Sequence, residues 1–168
     1  IPLAIVEGWG GVSIRQPSPK SYEILSTGIA DGILFPYESV TSFNLTDLVP
    51  YSTNLPGGWY SSSHFLIMNP AKYEALSPED KAVVDKWSGE AFAKLAGQGW
   101  DRINDKGLED MLANGNKVVD ASDELIAAVE KLNEGFLETY YASAAEAGVD
   151  GKEMLAYFKA QVAELSAQ

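Results

Sequence analysis

The sequence predicts a mixed α/β fold, and three patterns indicate it. Short strand and helix patterns alternate over residues 12–50, with brief connections between them. A long segment of extended character follows at 57–69. Three sizeable amphipathic helix patterns then fill most of the remaining chain. A domain of 168 residues can bury about two-thirds of the surface that its unfolded chain exposes, so this fold needs no disulfide or metal to hold it together.

The first half of the chain is predicted to form short, alternating elements. Ser18 is a suitable helix N-cap, and Pro19 suits the first helical position, where its missing N–H costs no hydrogen bond. Gly28 is typical of the residue that ends a helix. The predicted order is strand 12–16, helix 18–28, strand 29–35 and helix 38–49.

The second half is predicted to be mainly helical after the extended segment. Ser77, with a proline and two acidic residues directly after it, favours the start of a long helix. That helix is either continuous or broken once, near Gly97 or Gly99. Beyond it, the sequence predicts a strand at 116–120 and two amphipathic helices, the first of which begins at Ser122.

Composition and charge exclude several classes of function. The chain has no cysteine, which excludes disulfide frameworks, thiolate zinc sites and cysteine nucleophiles. Twelve basic and twenty-four acidic residues give a net charge of −12, and a field of that sign repels nucleic acid and anionic membrane surfaces. No apolar run reaches the roughly eighteen residues that cross a bilayer, so we expect no stable membrane insertion and no nucleic-acid partner.

The sequence offers weak candidates for catalysis and none for metal binding. His64 is the single histidine, and Ser61, Ser62 and Ser63 precede it directly. A serine hydrolase built on these residues is one alternative, but the strand–turn–helix elbow that exposes a catalytic serine is absent. The acidic residues at 120–124 fit a helix N-terminus and lack the spacing of a calcium loop. We therefore expect no enzyme activity, no cofactor and no metal site.

Aromatic residues concentrate in two places. Phe35 and Tyr37 lie in the first, next to Glu38, and the second consists of Tyr51, Trp59 and Tyr60. Aromatic walls with a few fixed polar atoms are typical of small-ligand pockets. The same concentration also fits core packing, and the pattern alone leaves both interpretations open.

Two segments resemble a known family. "SYEILSTGIADG", followed by an aromatic and proline-containing stretch, is similar to a signature of the extracytoplasmic solute-binding proteins of TRAP transporters, the DctP-like family. "FLIMNPAKYEALSPEDKAVVDKW" is similar to a second segment of that family. The two occur in the family's order, and the resemblance extends from about Val12 to Leu112. The chain therefore resembles the C-terminal portion of such a protein.

The resemblance implies a fold and a role. The fold is α/β and periplasmic-binding-protein-like, with two lobes, mixed sheets and a long interlobe helix, here without most of the first lobe. The role is to capture a small organic acid in the periplasm and deliver it to the TRAP membrane subunits for sodium-coupled uptake. A ligand-sensing or scavenging module, or a purely structural remnant, is the alternative. The implied division is 1–52 as second-lobe βα units, 53–69 as a strand crossing between lobes, 70–115 as the interlobe helix region, continuous or broken, and 116–168 as a strand with C-terminal helices.

The resemblance also indicates substrate-binding positions. Phe35 stands three residues after Asp31-Gly32, where the family often has an asparagine that contacts the ligand. Ser18 matches a second contact position at the start of the preceding helix. The remaining assigned residues lie in segments that border the cleft, and they are Tyr37, Glu38, Trp59 and Tyr60.

A phenyl ring in place of that amide predicts an apolar or aromatic monocarboxylate as ligand, such as a 2-oxo or 2-hydroxy acid. The change removes hydrogen bonds that a hydroxyl-rich ligand needs, and each unpaired buried polar group costs about 1–3 kcal/mol. Burial of apolar surface instead contributes about 25 cal/mol per Å². The family's anion-binding arginine, in an Arg-x-Pro segment, is expected just upstream of Ile1, and Arg15 does not match its position.

Overall fold

The structure, a computed structural model, describes residues 2–166. Its contacts divide the chain into two units, the first mainly Ser13–Asp120 and the second combining Ala4–Val12 with the chain from Ala121 onward. The helices are α1 (Pro2–Gly8), α2 (Ser21–Ser26), α3 (Tyr37–Ser42), α4 (Pro70–Glu74), α5 (Pro78–Lys86), α6 (Glu90–Ala113), α7 (Asp123–Glu146) and α8 (Gly151–Ser166), with a 3₁₀ turn at Ser18–Lys20. The strands are β1 (Tyr51–Asn54) and β2 (Lys117–Asp120).

The predicted mixed α/β class is confirmed. Strands β1 and β2 pair in parallel, in a register that runs from Tyr51 opposite Lys117 to Asn54 opposite Asp120. The last pair also joins through its side chains, because Asn54 Nδ2 donates a hydrogen bond of 2.9 Å to Asp120 Oδ1. Strand β2 confirms the strand predicted at 116–120.

The core of the first unit lies between α3, the loop after it and the C-terminal part of α6. Met111 and Leu45 are fully buried there. Around this centre pack partly buried apolar side chains from the preceding loop and helices, namely Leu25, Ile33, Phe35, Tyr37, Phe43 and Leu48. The segment 29–36 between α2 and α3 is therefore held by the core, although it forms no regular element.

Helices α3 and α6 approach closely at Gly107. A Cβ atom at this position would lie 2.6 Å from the backbone of both Tyr37 and Glu38, so no side chain fits between the helices. Gly107 is buried in the C-terminal half of α6. Its lack of a side chain thus sets the distance between α6 and the first turn of α3.

Asn116 anchors the chain that leaves α6. Its buried side-chain amide donates hydrogen bonds to the carbonyl oxygens of Thr46 (2.8 Å) and Val49 (2.9 Å). Its backbone N–H closes the end of α6 by donating to Met111 O (3.0 Å), after Gly115 has turned the chain with a φ of 91°. These bonds fix the loop that leads into β1.

The predicted strands at 12–16 and 29–35 are wrong. Strand β1 ends at Asn54, and the segment 57–69, predicted to be extended, forms no strand. A strand requires a partner for its backbone, and none of these segments pairs with another in the described part of the chain. In 29–35 the side chains of Ile33 and Phe35 pack onto the core instead. In 57–69 the side chains of Phe65, Leu66 and Ile67 are exposed by 76–81%.

The structure confirms two of the predicted helix N-caps and corrects a third cap and the position of the helix break. Ser77 and Ser122 cap α5 and α7 as predicted, each accepting a backbone N–H bond on its hydroxyl. Ser18 does not cap a helix, because the 3₁₀ turn that it begins is preceded by Pro17 and has no side-chain cap. The break in the long helical region falls at Gly89, whose φ is 60°, and not at the predicted glycines, which lie within α6.

The second unit is helical. Gly8 of α1 packs directly against the side chain of Leu132 in α7, and Gly151 begins α8 against Tyr141 and Ala144 of the same helix. Val129 of α7 is buried within this unit. None of the helices in residues 2–166 is both long and apolar enough to span a bilayer.

Candidate ligand-binding site

The first unit contains an open cavity of about 990 Å³. The cavity wall consists of residues 31–40 around the start of α3, residues 48–62 around β1, and four single residues, namely Ser18, His64, Trp100 and Asn104. Such a volume is large enough for a small organic ligand. We call this space the β1 cavity.

Two aromatic side chains on one side of the β1 cavity are held by their polar atoms. Tyr60 donates its hydroxyl to Leu34 O at 3.2 Å, which ties the two long wall segments together. Trp59 donates its indole N–H to Thr53 O at 3.0 Å. Because both polar groups are used within the protein, these side chains contribute the apolar surface of their rings to the cavity wall.

A tight turn places Trp59 and Tyr60 opposite the end of β1. Gly58 N donates to Leu55 O at 2.8 Å, with Pro56 second in the turn and Gly57 third at a φ of 80°. This arrangement matches the residue signature of a type II turn, in which the third residue needs a positive φ. The two glycines therefore serve the turn that folds the aromatic pair back over the strand.

Phe35 and Tyr37 link the cavity to the core. Both line the β1 cavity, and both also pack against the buried cluster beneath α3. The ring of Phe35 lies 5.8 Å from that of Phe43, measured between centroids, at an angle of 49°. The core thus fixes these rings from behind, which limits the entropy that a bound ligand would have to remove from the wall.

The charges of the cavity wall are negative. Glu38 lies in the first turn of α3, where its carboxylate accepts hydrogen bonds from the hydroxyls of Ser39 and Ser42. Asp31 also lines the cavity. Among the residues that the structure describes, no lysine or arginine lines it. A bound anion would therefore have to keep its charge away from Glu38 and find a cation elsewhere.

Two tyrosines of the wall, Tyr37 and Tyr60, are neutral at physiological pH. Burial raises the pKa of Tyr60 above its usual 10.0. Burial also raises the pKa of Tyr37, and the negative charge of Asp120 raises it further. Their hydroxyl groups therefore add no charge to the cavity.

The structure brings all six predicted site residues to the wall of the β1 cavity, namely Ser18, Phe35, Tyr37, Glu38, Trp59 and Tyr60. Their contact with a ligand stays a prediction. The position expected for the anion-binding arginine precedes Ile1 and lies outside the described residues.

His64, Trp100 and Asn104 are among the wall residues that sequence reasoning missed. The rings of His64 and Trp100 stack, with centroids 5.1 Å apart and planes 25° from parallel. The spacing from Trp100 to Asn104, then to Gly107 and Met111, places all four on one face of α6. We call this the α6 inner face, and its mixture of aromatic, polar and small residues was the available signal.

Neither hydrolysis nor metal binding finds support in the described residues. His64 stacks on Trp100, and none of the three serines before it hydrogen-bonds to its imidazole. A serine needs such a base within reach to act as a nucleophile. Within residues 2–166, no group of three or more His, Asp or Glu side chains could hold a metal ion.

The sequence is similar to known binding and transport proteins. It is 29% identical over 164 residues to the outer membrane transporter protein TsaT of Comamonas testosteroni. The matched region covers 97% of this chain and 48% of that protein. The structure is similar to a TRAP periplasmic solute-binding protein of Bordetella bronchiseptica with bound (R)- and (S)-mandelate, at 36% identity and a TM-score of 0.89 over 97% of this chain and 52% of that one.

A second solved structure is similar at 32% identity and a TM-score of 0.79, over 96% of this chain and 52% of that one. It is a marine metagenome TRAP solute-binding protein specific for aromatic acid ligands, in complex with meta-hydroxyphenylacetate. The chain thus spans about half the length of these relatives. Residues 2–144 match the DctP family of bacterial extracellular solute-binding proteins, family 7. Since this match covers most of the chain, the chain belongs to the DctP family, a family of solute-binding proteins and not of enzymes.

Proposed function

We propose that the protein carrying this chain is the periplasmic solute-binding component of a TRAP transporter, and that it captures an aromatic monocarboxylate in the β1 cavity. Membership of the family supports the general role. The aromatic lining supports the class of ligand, and it is the observation that carries the proposal. Delivery to the TRAP membrane subunits and coupling to sodium belong to the same proposal.

The aromatic wall favours a ligand with a flat apolar body. Phe35, Trp59 and Tyr60 line the cavity with apolar ring surface, and the polar atoms of the last two are bonded within the protein. Burying a phenyl ring removes on the order of 150 Å² from water and contributes about 4 kcal/mol. A sugar acid would bring several hydroxyl groups to this surface, and each one left without a partner costs about 1–3 kcal/mol.

The negative wall sets the direction of the ligand. A carboxylate beside Glu38 would meet a like charge already held by two serine hydroxyls, and a buried unpaired carboxylate is costly. We therefore place the aromatic end of the ligand near the described wall and its carboxylate away from α3. A cation outside these residues would pair with it, the role that the family resemblance gives to an arginine.

The ligands of the two similar structures agree with this class. The Bordetella bronchiseptica protein holds mandelate, and the marine protein is specific for aromatic acids. In the proposed mechanism the two lobes close over such an acid. The ligand drives closure only if it binds the closed form more tightly than the open one, and contacts to both lobes supply that difference.

Isothermal titration calorimetry on the full natural chain tests the proposal. We expect phenylacetate or benzoate to bind at least about 100-fold more tightly than glucuronate, because about 3 kcal/mol separates ring burial from unpaired hydroxyl groups. Benzyl alcohol, which keeps the ring and lacks the carboxylate, is the matched control and should bind weakly. Tight binding of glucuronate with no binding of the aromatic acids would contradict the proposal.

A further inference from the structure

The α6 inner face connects the core to the β1 cavity. Met111 lies in the core, and Gly107 is held against the backbone of α3. These two contacts fix the rotation of α6 about its own axis. The two remaining members of the face, Trp100 and Asn104, consequently point along the cavity wall, where they are found.

Asn104 carries a polar group that the protein itself does not use. Its side chain is half-buried and makes no hydrogen bond within the described part of the chain. This distinguishes it from Tyr60 and Trp59, whose polar atoms bind backbone carbonyls. A primary amide both donates and accepts hydrogen bonds, and it carries no charge.

His64 and Trp100 form a flat surface beside this amide. Their rings lie 5.1 Å apart and within 25° of parallel, and both line the cavity. Asn104 is one helical turn beyond Trp100, so its amide lies next to the indole on the same face of α6. An aromatic ring that stacks on this surface would bring its edge towards the amide.

We propose that Trp100, stacked on His64, seats the aromatic ring of the ligand and that Asn104 hydrogen-bonds a hydroxyl group on that ring. The inference rests on the proposed function, and it narrows the ligand to ring-hydroxylated aromatic acids. A neutral amide suits a neutral hydroxyl, whereas the ligand's carboxylate is directed away by the negative charges of Glu38 and Asp31. Asn104 is in this account the residue that separates hydroxylated from unsubstituted acids.

The test compares phenylacetate with its 2-, 3- and 4-hydroxy derivatives by calorimetry on the full natural chain. We expect the best hydroxylated acid to bind about tenfold more tightly than phenylacetate, the value of one hydrogen bond to an otherwise unpaired group. Asn104→Leu keeps the volume and removes the amide, so the ratio should fall to about one. Asn133→Leu, at an exposed asparagine of α7, is the control and should leave the ratio unchanged.

A second variant separates the ring contact from the hydroxyl contact. Trp100→Ala should weaken all four acids by a similar factor, about five- to tenfold for a lost aromatic stack, and leave their ratio intact. Trp87→Ala is its control, because Trp87 is similarly exposed and lies outside the cavity. Thermal unfolding of each variant confirms that the fold is retained.

The outcomes distinguish this inference from the proposed function. If the natural chain binds phenylacetate but prefers none of the hydroxylated acids, or if Asn104→Leu leaves the preference unchanged, the inference is wrong and the proposed function stands. If the natural chain binds none of the four acids, both are overturned.

Discussion

Replacement of Gly107 by alanine is expected to destabilise the protein by up to about 2 kcal/mol, although alanine is the better helix former. The added Cβ would lie 2.6–2.7 Å from backbone atoms of Tyr37 and Glu38, and backbone cannot rotate away as a side chain can. Overpacking of this kind costs up to about 3 kcal/mol. The gain of about 1 kcal/mol in helix propensity offsets only part of it. Because Tyr37 and Glu38 line the β1 cavity, ligand affinity should fall as well.

Urea unfolding of the full natural chain measures this effect, and α6 supplies a matched control. Gly97 lies in the same helix, and a Cβ there would meet no other atom within 4 Å. Gly97→Ala should therefore raise stability by about 0.5–1 kcal/mol. Equal shifts of the same sign for both variants would show that α3 and α6 do not approach as closely as described.

Met111→Ala is expected to lower the free energy of unfolding by about 2–5 kcal/mol. Met111 is fully buried, and it is surrounded by Val40, Leu45 and Val49. Truncation removes the transfer free energy of the lost atoms and leaves a cavity that rigid neighbours fill only in part. Met111 O also accepts the hydrogen bond that ends α6, so the site has little freedom to collapse.

The neighbouring residue provides the control for this second prediction. Leu112 follows directly in α6 but is 52% exposed. Leu112→Ala should cost less than about 1 kcal/mol, because little buried area is lost. A cost at Met111 no greater than that at Leu112 would place the core of the first unit elsewhere than between α3 and α6.

Local chemistry predicted the helices better than it predicted the strands. Ser77 and Ser122 cap their helices because each hydroxyl satisfies a backbone N–H within a few residues, which the sequence shows directly. Gly28, with a φ of 71°, ends α2 for a similarly local reason. The predicted strands at 12–16 and 29–35 are wrong because the alternation of apolar and polar residues indicates only which side chains could face a core. A strand also requires a backbone partner from a distant part of the chain.

Glycine shows the same division between local and distant causes. The sequence predicts a long helix that is either continuous or broken once, near Gly97 or Gly99, yet helix interiors tolerate glycine at a cost of about 1 kcal/mol. The break occurs at Gly89, where the backbone takes a positive φ before α6 begins. The need for glycine at position 107 could not be predicted from the sequence, because it arises from contact with the backbone of α3, some seventy positions earlier in the chain.

The sequence predicted the aromatic residues of the candidate site that precede α6, but not the residues that α6 contributes. Phe35, Tyr37, Trp59 and Tyr60 stand out because aromatic side chains cluster close together along the chain. Trp100 and Asn104 line the same cavity only because of the way α6 packs. In the sequence, Trp100 has the pattern of an apolar position of an amphipathic helix, and Asn104 has that of a solvent-exposed position.

The central claim is that the rings of the β1 cavity hold the aromatic body of an acid whose charge is neutralised elsewhere. A crystal structure of the full natural chain with bound phenylacetate tests it most directly. We predict that the ligand's ring lies within about 4 Å of the side chains of Phe35 and Trp59, with its carboxylate away from Glu38. Phenylacetate bound outside this cavity, or bound with its carboxylate against α3, would contradict the account.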